Sequence, residues 1–78
     1  MPKLSRISGQ EVIRKLEKLG FQQVRKRGSH VVLKKKTHEG DIGCVVPLHK
    51  ELAIGTLHGI LKQAKLSIED FISEAPIP

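Results

Sequence analysis

A basic segment with a single histidine at its centre is the part of this sequence best suited to chemistry. Residues 25–36 read RKRGSHVVLKKK and carry six basic side chains, no acidic side chain and His30. Fixed positive charge at this density suits a phosphate backbone. Histidine is the side chain that gains and loses a proton near neutral pH. The segment therefore predicts a protein that binds RNA or DNA, with His30 as the candidate for cutting it.

A plainer explanation of the basic segment is a solvated edge strand, because lysines on edge strands discourage sheet-to-sheet aggregation. The uneven charge argues against this, since six of the 14 basic residues lie in these twelve positions. Phe21 and Phe71 are the only aromatic residues in the sequence, and both fall at predicted helix boundaries. The sequence therefore has no aromatic platform for stacking bases. We expect recognition through the nucleic-acid backbone and its shape.

The four histidines do not predict a metal site. His30, His38, His49 and His58 are separated by 8, 11 and 9 residues, and Cys44 is the only cysteine. That spacing matches no compact ligand motif. His38 and His58 are interpreted as surface residues, whereas His49 has two explanations that stay open, a turn-stabilising hydrogen bond and a functional role. No metal and no small-molecule cofactor is expected.

Length and composition indicate one small soluble domain spanning residues 1–78, with a net charge of +6 and a pI near 9.8. A domain of this size buries only about 60% of its unfolded surface. No apolar run is long enough to cross a membrane or to act as a signal peptide. A single cysteine fits a reducing compartment, and Cys44 is expected in the core. The predicted location is the cytoplasm.

The first predicted helix has a clear start and end. Ser8 and Glu11 form a capping-box pattern, and Gly20 is suited to closing the helix, with Phe21 packing back on Leu16. Its apolar stripe consists of Val12, Ile13, Leu16 and Leu19.

Three strands are predicted at residues 21–26, 30–36 and 41–46, with a turn at 37–40 and Pro47 ending the third strand. Side chains alternate along a strand, so His30, Val32, Lys34 and Lys36 share one face of the second strand. If Val31 and Leu33 pack on the helices, His30 lies on the open face. The opposite assignment stays open, because Val32 is also apolar.

Two further helices complete the predicted order α-β-β-β-α-α, an α+β layer with helices on one face of an antiparallel sheet. Residues 52–64 form the longer helix, in which Gly55 and Gly59 are expected to pack closely on the sheet, since glycine otherwise weakens a helix by up to about 1 kcal/mol. Ser67 and Asp70 cap the shorter helix. Residues 75–78 are expected to fray.

Taken together, short motifs in this order resemble the HicA-type (HicA/YcfA-like) toxin family of bacterial and archaeal toxin–antitoxin pairs. The resemblance extends over residues 5–73. The residues that carry it are Gly20-Phe21, Gly28-Ser29-His30, Val45-Val46-Pro47, His49, Glu51-Leu52, Gly55-Thr56-Leu57, Ile60-Leu61, Gln63-Ala64 and residues 67–71.

The resemblance implies a fold similar to double-stranded-RNA-binding domains, an α-β-β-β-α layer here followed by a short extra C-terminal helix. Family members are ribosome-independent mRNA interferases inhibited by a HicB-type antitoxin. Their catalytic histidine lies in a Gly-Ser-His or Gly-Gly-His motif, which implies His30 here. Lys65 departs from the family pattern, because relatives usually carry glycine before the last helix, and this puts the end of the second helix in doubt.

One histidine can suffice for this chemistry, because RNA carries its own nucleophile, the 2′-hydroxyl group. His30 would act as base or acid, and either Lys34 or the basic arm of residues 25–27 would neutralise the developing charge. Ser29 and the Gly28 backbone would position a phosphate oxygen, because glycine allows close approach. The predicted RNA-binding residues are Arg25, Lys26, Arg27, Gly28, Ser29, Lys34 and Lys36.

The sequence thus predicts the toxin of a type II toxin–antitoxin system that acts in a stress response. It would be a metal-independent endoribonuclease that cleaves mRNA, arrests growth and is neutralised by a HicB-type antitoxin. Two alternatives stay open. One is a non-catalytic RNA-binding module with the same fold, and the other is a small interaction protein whose basic face binds an acidic partner.

Overall fold

A three-stranded antiparallel sheet of order β1-β2-β3 carries the helices of this chain. The computed structural model describes residues 7–73. The elements are α1 (Gly9–Lys18), β1 (Gln22–Arg27), β2 (His30–Thr37), β3 (Gly40–Pro47), α2 (Ile54–Gln63) and α3 (Ile68–Ser73). This order confirms the predicted α+β class with an extra C-terminal helix. Within residues 7–73, no helix has the length and apolar character needed to span a membrane. The predicted fraying of residues 75–78 concerns a part outside the described residues.

Local sequence signals fix both ends of α1 as predicted. The Ser8 hydroxyl accepts a hydrogen bond from the Glu11 N–H at 3.1 Å, and the Glu11 carboxylate accepts one from the Ser8 N–H at 3.4 Å. At the other end, Gly20 has a φ of +102°, and the Phe21 N–H donates to the Leu16 carbonyl at 3.0 Å. These contacts satisfy backbone groups that a helix end would leave unpaired.

The same C-terminal motif ends α2, with Lys65 at the position where the resemblance implies glycine. Lys65 has a φ of +57°, in the left-handed region that glycine adopts without strain. The Leu66 N–H donates to the Leu61 carbonyl at 2.9 Å, which completes the cap. The positive φ is a physical reason to expect glycine at this position. The presence of lysine there nevertheless leaves the cap intact. The predicted helix at residues 52–64 begins two residues later than expected, at Ile54.

The helices and one face of the sheet share a single apolar core. Val12 and Leu16 of α1 and Leu57 and Leu61 of α2 belong to it, and each is at most 2% exposed. Cys44 also belongs to this core, as predicted. The other core residues are Ile13, Phe21, Val31, Leu33, Val46, Leu52, Ile60, Ala64 and Phe71.

The strand bounds differ slightly from prediction. β1 begins at Gln22 instead of Phe21, because Phe21 is held in the cap of α1 and buried in the core. β3 includes Pro47, which pairs with His30 at the very end of the ladder, where a missing N–H costs least. The turn between β2 and β3 is tighter than predicted, and the Thr37 hydroxyl donates to the Gly40 carbonyl at 2.6 Å.

The prediction that Gly55 and Gly59 pack closely on the sheet is wrong. Both are exposed, and a Cβ atom at either position would meet nothing within 4 Å. The close approach occurs instead at Gly9, where a Cβ atom would overlap the Pro47 carbonyl oxygen. The Gly9 N–H also donates to the His49 carbonyl at 2.9 Å. Gly9 therefore lets the start of α1 lie directly against the segment that follows β3.

Alanine substitutions at Gly9 and Gly59 should have opposite effects on stability. Gly59→Ala should raise the free energy of unfolding by up to about 1 kcal/mol, because it removes backbone freedom from the unfolded chain at a site with open space. Gly9→Ala should lower it by about 1–3 kcal/mol, because the added methyl group collides with backbone. Urea denaturation followed by circular dichroism measures both. A neutral Gly9→Ala would contradict the close packing described here.

The stability of the chain should fall in alkaline solution because of Cys44. Burial raises the pKa of the Cys44 thiol from 9.0 to about 11. The unfolded chain therefore loses this proton at lower pH than the folded chain, and the stabilising contribution is complete below about pH 9 and lost as the pH rises towards about 11. The free energy of unfolding of the wild type, measured relative to Cys44→Ala, should decline across this range. A constant difference between the two proteins would contradict it.

Candidate functional site on the open face of the sheet

The strand β2 directs His30 and its basic neighbours away from the helices. Val31 and Leu33 are at most 2% exposed and face the core. Because side chains alternate along a strand, His30, Val32 and Lys34 point to the opposite side, here called the open face. The predicted assignment is confirmed.

Residues directly opposite each other on neighbouring strands share a face. Those on the open face of β1 and β3 are Gln22, Arg25, Arg27, Asp41, Gly43, Val45 and Pro47.

His30 lies at the end of the sheet nearest the β1–β2 turn. It is exposed, and its direct cross-strand partners are Arg27 on one side and Pro47 on the other. In the turn, Gly28 has a φ of +60°, and a Cβ atom there would meet nothing within 4 Å. The histidine is thus accessible to a large substrate, beside a cation and a glycine whose backbone is open to close approach.

Main-chain contacts hold the turn in place. The Leu48 N–H donates to the Ser29 carbonyl at 2.6 Å, which ties the turn to the segment that follows β3. That segment is itself held by the contact between Gly9 and the His49 carbonyl. The hydrogen bond considered for His49 is therefore made by its main chain, while its side chain is exposed. The residues beside His30 are positioned by backbone that is anchored to α1.

The structure divides the predicted RNA-binding residues into two groups. Arg25 and Arg27 pair with Val32 and His30, so they lie on the open face. Lys34 and Lys36 share that face through the alternation of β2, and Gly28 and Ser29 form the turn at its end. Lys26 pairs with the buried Val31 and therefore lies on the helix side of the sheet. The predicted arm of residues 25–27 does not act as one group.

An apolar patch lies at the centre of the open face. Val45 is 40% exposed and pairs with the half-buried Val32. Val24 is 53% exposed and lies where the β1–β2 register shifts. It lines a shallow cavity of about 260 Å³ together with Lys34, Lys36, Gln22, Asp41 and Gly20. The alternation of Cys44, Val45 and Val46 is the sequence signal that points Val45 outward.

The described residues provide no obvious metal site. In residues 7–73, no group of three or more histidine, cysteine, aspartate or glutamate side chains is arranged to hold a metal ion. His38 and His58 are exposed, as predicted. On the open face, the exposed His30 lies among basic side chains, and Asp41 lies at the far end of the sheet.

Comparison with known proteins gives one family match. A family model described as the HicA toxin of bacterial toxin–antitoxin systems matches residues 9–66. This range covers about three quarters of the chain and includes every element except α3. It contains the whole basic segment and the Gly28-Ser29-His30 turn. A search of curated proteins finds no significant match.

Proposed function

This chain belongs to the HicA toxin family of bacterial toxin–antitoxin systems, and from that premise we propose that it is a metal-independent endoribonuclease. As the toxin of a type II system, it would cut mRNA in the cytoplasm and arrest growth under stress. The observation that carries the proposal is one exposed histidine on an open sheet face with four fixed cations. Residues 1–78 would act as a single domain, since the described core is one cluster.

In the proposed reaction, the substrate supplies the nucleophile. The His30 imidazole takes the proton from a ribose 2′-hydroxyl, whose oxygen attacks the adjacent phosphorus. The bond from phosphorus to the 5′-oxygen breaks, and that oxygen receives a proton from the imidazolium or from water. The products are a 2′,3′-cyclic phosphate and a 5′-hydroxyl end. No oxidant, cofactor or metal ion enters this balance.

The cations on the open face have different proposed roles, because they lie at different distances from His30. Arg27 is directly opposite His30, where paired Cβ atoms are about 4.5–5.5 Å apart. It is therefore the best placed to stabilise charge on the scissile phosphate. Lys34 and Lys36 lie four and six residues along β2, or roughly 13 and 20 Å at about 3.3 Å per residue. We assign them to flanking phosphates.

A non-catalytic RNA-binding module is the second candidate, and one observation favours it. Among the described residues of the open face, Asp41 is the only carboxylate, and it pairs with Lys36 at the end of the sheet far from His30. A single acid–base residue implies modest catalysis, with general acid–base effects of about 10²–10⁴-fold. The two candidates differ in one respect only, which is whether bound RNA is cut.

Replacing His30 should separate cleavage from binding. We expect the purified chain to cleave RNA in the presence of EDTA. His30→Ala should slow cleavage by at least about 100-fold, because it removes the proposed proton acceptor, and should leave RNA affinity nearly unchanged. Gel analysis of labelled RNA and fluorescence anisotropy measure the two properties.

His38→Ala is the matched control, because it removes an exposed histidine in the other turn. It should behave like the wild type. Undiminished cleavage by His30→Ala would transfer the catalytic role to His49. Loss of wild-type activity in EDTA would indicate a metal-dependent nuclease, and binding without any cleavage would favour the RNA-binding module.

The proposed protein partner is a HicB-type antitoxin that covers the open face. Exposed ion pairs contribute only about 0–1 kcal/mol each, so charge alone would not hold the complex. The exposed valines at the centre of the face, Val24 and Val45, offer apolar area within a basic rim. A partner with an acidic surface and an apolar centre fits this arrangement, and it would compete with RNA.

Removing the two distal lysines should weaken both interactions. Lys34→Ala with Lys36→Ala should lower the log–log salt slope of RNA binding by about 1.4, since each contact to single-stranded RNA contributes about 0.7. The same variant should slow association with the antitoxin, because rim charges steer encounter. Lys35, which lies between these two lysines, is left unchanged in this variant. Its ammonium group lies 5.9 Å from the centroid of the Phe21 ring, on the helix side of the sheet. A complex in which the antitoxin leaves His30 accessible to RNA would contradict the proposal that the antitoxin covers the open face.

A further inference from the structure

A second basic surface lies on the helix side of the sheet, separate from the open face. Its first member is Lys26, which is exposed but pairs with the core residue Val31. Strand alternation therefore directs Lys26 towards α1, whereas Arg25 and Arg27 point the other way. The proposed cleavage site on the open face does not use Lys26.

The space that Lys26 faces is an open groove of about 300 Å³ between α1 and β1. The α1 residues that line it follow helical spacing and form one face of the helix. With about 30 Å³ for each liquid water, the groove has room for a hydrated phosphate group. Its lining consists of Gln10, Ile13, Arg14, Glu17, Gln23, Lys26, Val31 and Leu48.

Charge is distributed unevenly along this groove. At one end, the Gln23 amide donates to the Glu17 carboxylate at 3.3 Å, so the single acidic side chain has a partner there. Lys26 lies further along β1, and its partner Val31 is two residues along β2 from Leu33, the partner of Gln23, or roughly 7 Å at about 3.3 Å per residue. Arg14 precedes Glu17 by almost one turn of α1, in the same direction. Lys26 therefore lies at the other, cationic end of the groove, and Arg14 lies on the Lys26 side of Glu17, its i,i+3 neighbour on α1.

The cationic end of the groove lies next to the turn that carries the proposed active site. Val31, which directly follows His30, lines the groove, and so does Leu48. The Leu48 N–H is hydrogen-bonded to the Ser29 carbonyl at 2.6 Å. Positive charge is thus present on both sides of the hairpin end. A flexible single strand that crosses this end can contact the open face and the groove at the same time.

We propose that the groove between α1 and β1 is a second phosphate-binding site for the RNA substrate, where Arg14 and Lys26 hold a backbone phosphate near the one presented to His30. This inference rests on the proposed ribonuclease function and extends it to substrate positioning. The groove lining carries two cations and one carboxylate, and a concave site with an excess of positive charge attracts anions. The arginine fork also suits the geometry of a phosphate group.

The binding test compares salt dependence in a His30→Ala background, so that the RNA stays uncut. Arg14→Gln with Lys26→Gln should lower the log–log salt slope for a single-stranded RNA by about 1.4, or two contacts at about 0.7 each. At 0.1 M salt, this corresponds to about 25-fold weaker binding if affinity at 1 M is unchanged. Lys62→Gln, which removes an exposed cation on α2, is the matched control and should leave the slope nearly unchanged.

Kinetics with His30 intact provide the second readout. Removing binding that is equal in the ground and transition states raises KM and leaves kcat unchanged. The groove variant should therefore raise KM at least tenfold with kcat within about twofold of the wild type, and its thermal unfolding should match that of Lys62→Gln. RNA affinity and KM equal to the wild type would overturn the inference while leaving the ribonuclease function standing.

Two further results would also overturn the inference. If the groove variant binds RNA normally but associates weakly with the antitoxin, the groove is a protein-docking surface instead. If the parent protein neither binds nor cuts RNA, the inference fails together with the proposed function.

Discussion

Burial of Val31 and Leu33 against the helices is the constraint on which the rest of the site depends. Fully burying an aliphatic side chain stabilises a protein by about 1.5–3 kcal/mol. Side chains alternate with period two, so this burial fixes the direction of every residue in β2. A slip of one residue would place His30 in the core and the valine and leucine in water. The apolar core thus determines that the histidine and the lysines meet solvent on one face.

A second set of contacts fixes the position of the β1–β2 turn relative to the core. The start of α1 lies against the segment after β3 because Gly9 has no side chain, and that segment holds the turn through the hydrogen bond from Leu48 to Ser29. These are backbone contacts, so they define the position of the turn without depending on flexible side chains. The backbone beside His30 is therefore held in a defined position, which suits a reaction that needs in-line placement of a phosphate.

Sequence alone was sufficient where the signal is local. The cap of α1 at Ser8 and the stripe containing Val12 and Leu16 could be read directly, because helix capping and helical spacing involve neighbouring residues. The open-face position of His30 followed once Val31 was assumed to be buried. The turn that ends α2 is harder to predict, because Lys65 adopts a left-handed backbone conformation that is typical of glycine.

The failures have a common physical cause, which is dependence on distant parts of the chain. Whether a glycine packs against other atoms depends on residues far away in sequence, so the sequence alone does not reveal the open space at Gly59 or the close packing at Gly9. The register shift between Gln23 and Arg25 arises only when β1 pairs with β2, and it exposes Val24. The groove that contains Lys26 likewise appears only after α1 has packed on the sheet.

Substitution in the substrate tests the proposal that His30 activates the RNA's own 2′-hydroxyl group. A short RNA with a mapped cut site is compared with the same RNA carrying a single deoxyribose on the 5′ side of that bond, and with one carrying the deoxyribose two positions away. We predict that only the first substitution abolishes cleavage, and that the all-ribose product ends in a 2′,3′-cyclic phosphate. Cleavage at the substituted position, or products with 5′-phosphate ends, would contradict the claim.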